Sequence, residues 1–127
     1  MRFPAMMATV GAVALAAGCT PQPEAPVSRA AYPEYFGQYC AACHGADATG
    51  TARAPDLTRI SARNGGTFPM TAVMSQIDGY GQGGTMPEFG EYVLDDRPVA
   101  VELETGEVTT APERLAGMAE YLRTLQR

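Results

Sequence analysis

The chain has 127 residues, a length that predicts a single domain. Its 14 acidic residues outnumber the nine basic ones, all of which are arginine, and the formal net charge is −5. Because the basic residues form no run or patch, the charge pattern argues against a nucleic-acid-binding protein.

The first 18 residues have the pattern of an export signal. Arg2 gives a positive start, an apolar run of 13 residues follows over 5–17, and small residues precede Cys19. This run is shorter than the roughly 20 residues of a membrane-spanning helix, so we predict a signal peptide over 1–18. The letters LAAGC resemble the lipobox of bacterial lipoproteins, which implies lipid attachment at Cys19. An ordinary cleaved signal that leaves Cys19 as a spare thiol is the alternative.

Residues 19–31 are predicted to form a tether, and 32–127 the folded domain. Three prolines and few apolar residues favour an extended, semi-stiff tether. A domain of fewer than 100 residues buries a limited core and often needs a metal, a cofactor or disulfides. Its two cysteines are three positions apart, so a disulfide between them would crosslink nothing distant. We therefore expect a cofactor.

Three helices are predicted from apolar residues at helical spacing. The first follows Pro33, the second follows Pro69 and ends at Gly79, and the third starts with a capping box over 110–113. Between the second and third helices, alternating apolar residues around a Thr-Gly turn predict a small β-hairpin near 99–110. The apolar helix positions are Tyr32, Tyr35, Phe36, Tyr39 and Cys40, then Val73, Met74 and Ile77, then Leu115, Met118, Ala119, Leu122 and Leu125.

Cys40, Cys43 and His44 form a Cys-x-x-Cys-His motif that contains the one histidine of the chain. A thioredoxin-like pair would need a β-α-β context, a structural zinc a fourth ligand, and a cysteine nucleophile a separate histidine. Covalent haem attachment needs none of these. Two thiols at this spacing can each form a thioether with one vinyl group of a porphyrin, and the adjacent histidine can then bind the iron. We predict haem at this motif, with His44 as an iron ligand.

A second iron ligand must come from another residue type, since the chain has no further histidine. Methionine is the soft donor typical of electron-transfer haems. Outside the predicted signal peptide, Met70, Met74, Met86 and Met118 are the candidates. The first lies in the first turn of a predicted helix, and Met74 and Met118 lie on apolar helix faces. Met86 precedes a proline in a glycine-rich loop that can approach a flat ring, and we predict it as the ligand.

These motifs resemble those of the small monohaem class I cytochromes c. In that family the Cys-x-x-Cys-His motif and a downstream Met-Pro supply the axial ligands, which implies His44 and Met86. A Pro-x-Leu after the motif implies that the Pro55 carbonyl accepts the Nδ1–H of His44 and fixes its tautomer. The resemblance implies a mainly α cytochrome c fold, with three to four helices around one covalently bound haem and the hairpin as an addition.

Two helix contacts follow from the same resemblance. The family packs an aromatic residue of the first helix against one of the last helix, and Phe36 and Tyr121 occupy these places. The usual glycine eight positions before the first haem cysteine is Tyr32 here, so the close helix–helix contact is lost or shifted to Gly117. The hairpin either covers the methionine side of the haem or forms a docking surface for a partner.

The resulting hypothesis is a periplasmic electron-transfer protein, not an enzyme, that is anchored to a membrane by its N-terminal lipid. One haem c with His/Met ligation would pass single electrons between redox partners, such as a respiratory or photosynthetic complex or a dehydrogenase. We expect neither nucleic acid nor a small-molecule substrate. The alternative is a haem-based sensor, or a cytochrome subunit of a periplasmic oxidoreductase, with a labile sixth ligand.

Overall fold

A computed structural model describes residues 29–79, 84–92 and 96–127 of the chain. The predicted signal peptide (1–18), the predicted lipid-attachment residue Cys19 and residues 20–28 of the predicted tether lie outside these described ranges. Arg29–Ala31 forms a 3₁₀ turn that leads directly into the first helix. None of the described helices has the length and apolar character needed to cross a bilayer.

The described chain contains five α-helices and one two-stranded sheet, which confirms the predicted mainly α class with a small hairpin. A one-turn helix carries too few residues for a periodic pattern, so the apolar spacing predicts three helices and not five. The elements are α1 (Tyr32–Tyr39), α2 (Ala41–His44), α3 (Ile60–Arg63), α4 (Met70–Asp78), β1 (Pro98–Glu102), β2 (Val108–Pro112) and α5 (Glu113–Thr124), with further 3₁₀ turns at Leu57–Arg59 and Gly90–Tyr92.

The first and last helices pack through two contacts of different kinds. Phe36 is buried, and its ring lies 5.9 Å from that of Tyr121, tilted by 58°. One turn earlier, the Tyr32 ring rests on Gly117, where any added Cβ would overlap the tyrosine. The Tyr32 hydroxyl also donates to the Glu113 carbonyl at 3.2 Å. The close approach of the helices is therefore made at Gly117, with the small residue on α5.

The buried faces of α4 and α5 follow the predicted periodicity. Val73, Met74 and Ile77 are buried as expected, and Met70 joins them with 1% of its surface exposed. On α5 the sequence predicts all the fully buried residues except Ala116. The α5 residues that are buried are Leu115, Ala116, Ala119 and Leu122, whereas Met118 and Leu125 are half-buried and pack against this core.

The hairpin contacts the start of α4 and leads directly into α5. Its strands pair antiparallel, with Val101 opposite Thr109, and the Val101 side chain is 4% exposed in the core. At its tip side, a carboxylate oxygen of Glu104 accepts hydrogen bonds of 3.1 Å from both the amide and the hydroxyl of Thr71, in the first turn of α4. A hydrogen bond from the backbone of Glu104 itself, followed by the one from the Thr71 amide, lowers the pKa of Glu104.

The predicted capping box over 110–113 is wrong. Thr110 belongs to β2 and pairs with Ala100, so the strand continues up to the residue before α5. No side chain caps α5 from the position before its first residue. Instead, the carboxylate of Asp96 accepts the Arg114 backbone N–H at 3.0 Å and also pairs with the Arg114 guanidinium. A residue distant in sequence thus satisfies a free amide of the first turn.

Candidate functional site

The Cys-x-x-Cys-His motif lies on one helical turn at the end of α1. Cys40 ends α1, its amide bonded to the Phe36 carbonyl at 2.9 Å, and its own carbonyl accepts the His44 amide at 2.9 Å. Because α2 stops at His44, the chain leaves the helix immediately after the imidazole. The three predicted haem-attachment residues are therefore carried by a regular, internally bonded piece of backbone.

The imidazole of His44 is held by the loop that follows it. The side chain is 8% exposed, and its Nδ1 lies 3.1 Å from the Pro55 carbonyl oxygen. Because a carbonyl can only accept, this bond requires a proton on Nδ1, and in the neutral imidazole the lone pair then lies on Nε2. No hydrogen-bond partner of Nε2 occurs among the described residues. The predicted contact between His44 and Pro55 is thus present in the structure.

Gly50 allows this loop to fold back tightly on the histidine. Its amide donates to the His44 carbonyl at 2.8 Å, and its φ of +87° lies in the left-handed region that favours glycine. A Cβ at this position would stand 2.6 Å from the Asp56 amide nitrogen and 2.8 Å from the Pro55 carbonyl carbon. The loop backbone that presents the Pro55 oxygen therefore packs against a residue without a side chain.

The two thiols differ in their surroundings. Cys40 and Cys43 are both free, with Cys40 half-buried against the core and Cys43 exposed. Burial raises the pKa of the Cys40 thiol to about 11, so this thiol stays protonated at neutral pH in the chain without a bound group. Among the described residues, no three histidine, cysteine, aspartate or glutamate side chains converge as a metal site would require.

Of the four methionines predicted as candidate ligands, Met70 and Met74 are buried in α4. Met86 and Met118 are half-buried at the edge of the core. Met86 lies outside the helices and strands, and its Sδ accepts a hydrogen bond from the Gln76 Nε2 at 3.8 Å. The contact of Gln76 with Met86 has no local signal in the sequence, because the two residues are ten positions apart and Gln76 is an exposed helix residue.

Two adjacent cavities border these residues. A groove of about 480 Å³ lies between α1, α4, α5 and the Pro87–Phe89 segment, and Cys40 forms part of its wall. A second cavity of about 420 Å³ is lined by Gln76, Met86 and Pro87, among others. Neither lining includes His44, and Pro87 is the wall that the two cavities share. Both volumes fall within the range of about 300–1,000 Å³ typical of small-molecule and cofactor pockets.

The donor set of these residues fits a covalently attached haem. The chain offers two unpaired thiols for thioether bonds and an imidazole whose Nε2 lone pair is fixed by the bond on Nδ1. It also offers a thioether sulfur at Met86, in the wall of the second cavity, next to the largely apolar groove that Cys40 borders. These donors are the ones that haem iron and its vinyl groups require.

The family comparison agrees with this chemistry. A family model described as cytochrome c matches residues 33–126, which is most of the chain and all of the described helices and strands beyond the first residue of α1. No curated protein and no solved structure matches the chain. The mainly helical architecture is consistent with the cytochrome c fold. The chain therefore belongs to the cytochrome c family, whose members carry covalently attached haem c and generally act as electron carriers.

Proposed function

We propose that this protein is a membrane-tethered, periplasmic electron carrier with one haem c ligated by His44 and Met86. The observation that carries the proposal is the hydrogen bond between the His44 Nδ1 and the Pro55 carbonyl. His44 directly follows the second of two free cysteines in the sequence. This bond orients the imidazole, and the loss of such outer contacts commonly weakens metal binding. Cys40 and Cys43 would hold the group covalently.

The haem supplies reversible one-electron chemistry at iron when bound. The chain holds the histidine in one tautomer through the Pro55 carbonyl, and the 8% exposure of the imidazole limits the access of water. Buried α4 and α5 side chains form the apolar wall next to Cys40. Iron with both axial positions filled would have no open place for a substrate, which supports a carrier and not an enzyme.

The tethering part of the proposal rests on the sequence before the domain. An export signal over 1–18 followed by a lipid on Cys19 would place the domain outside the cytoplasmic membrane and anchor it there. The proline-rich stretch over 19–31 would give the domain freedom to reorient between two redox proteins. The partners would be a donor and an acceptor of single electrons, either a respiratory or photosynthetic complex or a dehydrogenase.

Visible spectra of the purified holoprotein test the ligation. The expected wild-type spectrum is low-spin in both oxidation states, with a methionine-to-iron charge-transfer band in the ferric form. Met86→Ala should abolish this band, because it removes the thioether sulfur. Met118→Ala is the matched control, since Met118 is also half-buried at the edge of the core, and it should keep the band.

Three results would contradict the proposal. A band that survives Met86→Ala but disappears in Met118→Ala would assign the sixth ligand to Met118 of α5 and not to Met86. High-spin ferric wild-type protein that binds carbon monoxide readily after reduction would instead favour the alternative, a haem sensor or an oxidoreductase subunit with a labile sixth ligand. Colourless protein that contains zinc would exclude haem altogether.

A further inference from the structure

The side chain of Gln126, two residues beyond the end of α5, connects three segments of the chain. Its Nε2 donates to the Leu57 carbonyl at 2.9 Å and to the Leu122 carbonyl at 2.7 Å. Its Oε1 accepts the amide of Ser61, the second residue of α3, at 2.9 Å. A glutamine amide offers two N–H donors and one oxygen, so both donors and the oxygen are bonded to backbone. The end of α5 is thereby tied to α3 and to the segment just before it.

The backbone that Gln126 holds lies directly after the carbonyl that orients the histidine. Leu57 is two positions after Pro55, and its amide donates to the Ala48 carbonyl at 2.8 Å. Leu57 is therefore bonded on one side to the loop that follows the histidine and on the other side to Gln126. Because peptide units are planar and each residue has only two soft dihedrals, a shift of the Leu57 carbonyl also displaces the Pro55 carbonyl.

Arg127 adds two hydrogen bonds to the next residue of the same segment. Its amide donates to the Thr58 carbonyl and its Nε to the Thr58 Oγ1, both at 3.0 Å. Thr58 is 4% exposed, and its hydroxyl donates in turn to the Asp56 carboxylate at 2.6 Å. Residues 126 and 127 thus hold this segment from one side, and Gln126 bonds to the carbonyl that is nearer to Pro55 in sequence.

The position of the Pro55 oxygen matters for the chemistry of the histidine. The Nδ1–H of His44 donates to this oxygen at 3.1 Å, and the strength of such a bond depends on its distance and angle. A carbonyl acceptor on Nδ1 raises the basicity of the imidazole as a metal ligand. A more basic ligand stabilises ferric over ferrous iron and so lowers a haem potential. A residue that holds the Pro55 carbonyl in place therefore acts on the potential without touching either iron ligand.

We propose that Gln126 is a positioning residue that keeps the Pro55 oxygen on the Nδ1 of His44 and thereby lowers the reduction potential. It acts through the Leu57 carbonyl, which it holds from the end of α5. The proposal rests on the proposed function in one respect, since it takes His44 as an iron ligand. It extends that function by assigning a residue beyond the last helix, outside the ligand set and the attachment motif, to the control of the potential.

The test compares Gln126→Leu with wild type as holoprotein. Leucine is similar in size but has no donor or acceptor, and both residues are uncharged, so the potential cannot shift through a change in net charge. The potential should rise, with the ferrous-to-ferric ratio at a fixed poise increasing about threefold, or about 28 mV, since a tenfold change is 59 mV for one electron. In proton NMR of the reduced protein, the His44 Nδ1–H should exchange with solvent about tenfold faster, because the loop opens more often.

Two further variants separate the hydrogen bonds of Gln126 from general effects at the end of α5. Thr124→Ala is the matched control, since the exposed Thr124 hydroxyl donates to the Tyr121 carbonyl of its own helix, and it should leave both readouts unchanged. Gln126→Asn keeps the amide but is one methylene shorter, so it cannot reach all three backbone partners and should shift both readouts in the same direction as leucine. If Gln126→Leu fails to fold, the asparagine variant carries the test.

The possible failures are distinguishable. Wild-type holoprotein whose His44 ring protons lack the strong ring-current shift of an axial ligand would overturn the proposed ligation, and this inference with it. Wild-type protein that has this shift, combined with a folded Gln126→Leu or Gln126→Asn variant of unchanged potential and Nδ1–H exchange, would overturn the role of Gln126 alone. A Thr124→Ala variant that changes both readouts equally would also overturn it, because the effect would then belong to the helix end in general.

Discussion

The histidine side and the methionine side of the site are held by different kinds of contact. His44 is buried and bonded to a backbone carbonyl, that of Pro55, which cannot move without its whole loop. Met86 is half-buried, and its sulfur accepts a hydrogen bond from the side-chain amide of Gln76, which is exposed and rotatable. The first contact holds the imidazole through the fold, whereas the second contacts the sulfur through one side chain.

This difference predicts which substitutions should disturb each of the two hydrogen bonds. On the histidine side the relevant atom belongs to the backbone, so replacing a side chain can disturb the contact only by moving the loop. On the methionine side a substitution can remove the contact and leave the fold intact. Each side does share one device, a left-handed glycine at which two backbone segments meet: Gly50 on the histidine side and Gly79 on the methionine side.

The largest expected loss of stability comes from Gly50→Ala. A left-handed alanine costs about 1–2 kcal/mol, and forcing a Cβ against the backbone of Pro55 and Asp56 adds about 1–3 kcal/mol. The free energy of unfolding of the holoprotein should therefore fall by about 2–5 kcal/mol. Gly65→Ala is the matched control, because Gly65 has a φ of +68° with open space around it, and it should cost only about 1–2 kcal/mol. Denaturant titration gives both values, and equal losses would refute the packing argument.

Gly79→Ala should have a smaller effect on stability but a clear one on the proposed ligation by Met86. The left-handed backbone costs about 1–2 kcal/mol, and the Glu88 segment can shift to relieve the contact at 2.7 Å. That shift moves the segment that carries Met86, so the methionine charge-transfer band should weaken. Gly50→Ala should affect this band less at equal folded fraction. A band that stays at full strength in Gly79→Ala would mean that the two sides do not differ in this way.

The smallest expected effect concerns Asp56, which follows Pro55 on the histidine side. Its carboxylate accepts hydrogen bonds from the Thr58 hydroxyl at 2.6 Å and amide at 2.8 Å, and these bonds lower the pKa of Asp56. The stabilisation is then complete above the unfolded-state pKa of about 3.9 and is lost as the pH falls through the lower folded-state pKa.

Asp56→Asn retains an accepting oxygen but cannot titrate. The difference in unfolding midpoint between wild type and this variant should therefore be small and constant near neutral pH, and should shrink as the pH falls below about 4. Urea titrations between acid and neutral pH measure this difference. A gap that remains the same over the whole range would show that the Asp56 charge does not support the loop.

Much of the fold could be predicted because its signals are local. The apolar positions of α4 recur at helical spacing and Gly79 marks its end, and the turn of the hairpin is equally local. The capping of α5 could not be predicted, since the group that satisfies its first turn, Asp96, is 18 residues from Arg114 in sequence and is brought there by the hairpin. The local capping pattern predicts Thr110 as the cap instead, but Thr110 is paired with Ala100 in the hairpin.

The candidate site divides in the same way. The grouping of His44 with Cys40 and Cys43 could be predicted from spacing alone. The Pro55 contact could be predicted from the resemblance to the class I cytochromes c. Gln76 could not, because its relation to Met86 depends on how the end of α4 turns back on the chain. A hydrogen bond between an exposed amide and a sulfur leaves no mark in composition or periodicity.

The contact of Tyr32 with Gly117 couples the side-chain sizes at two positions that are distant in sequence. A tyrosine on α1 requires that α5 present no side chain there, and the glycine on α5 leaves a space that only a large residue fills. Neither residue can change size alone without a clash or a void. A sequence with the large residue on α1 and one with the large residue on α5 are therefore connected only through less stable intermediates. A chimaera that exchanges only one of the two helices would have two large residues or two small ones at this contact.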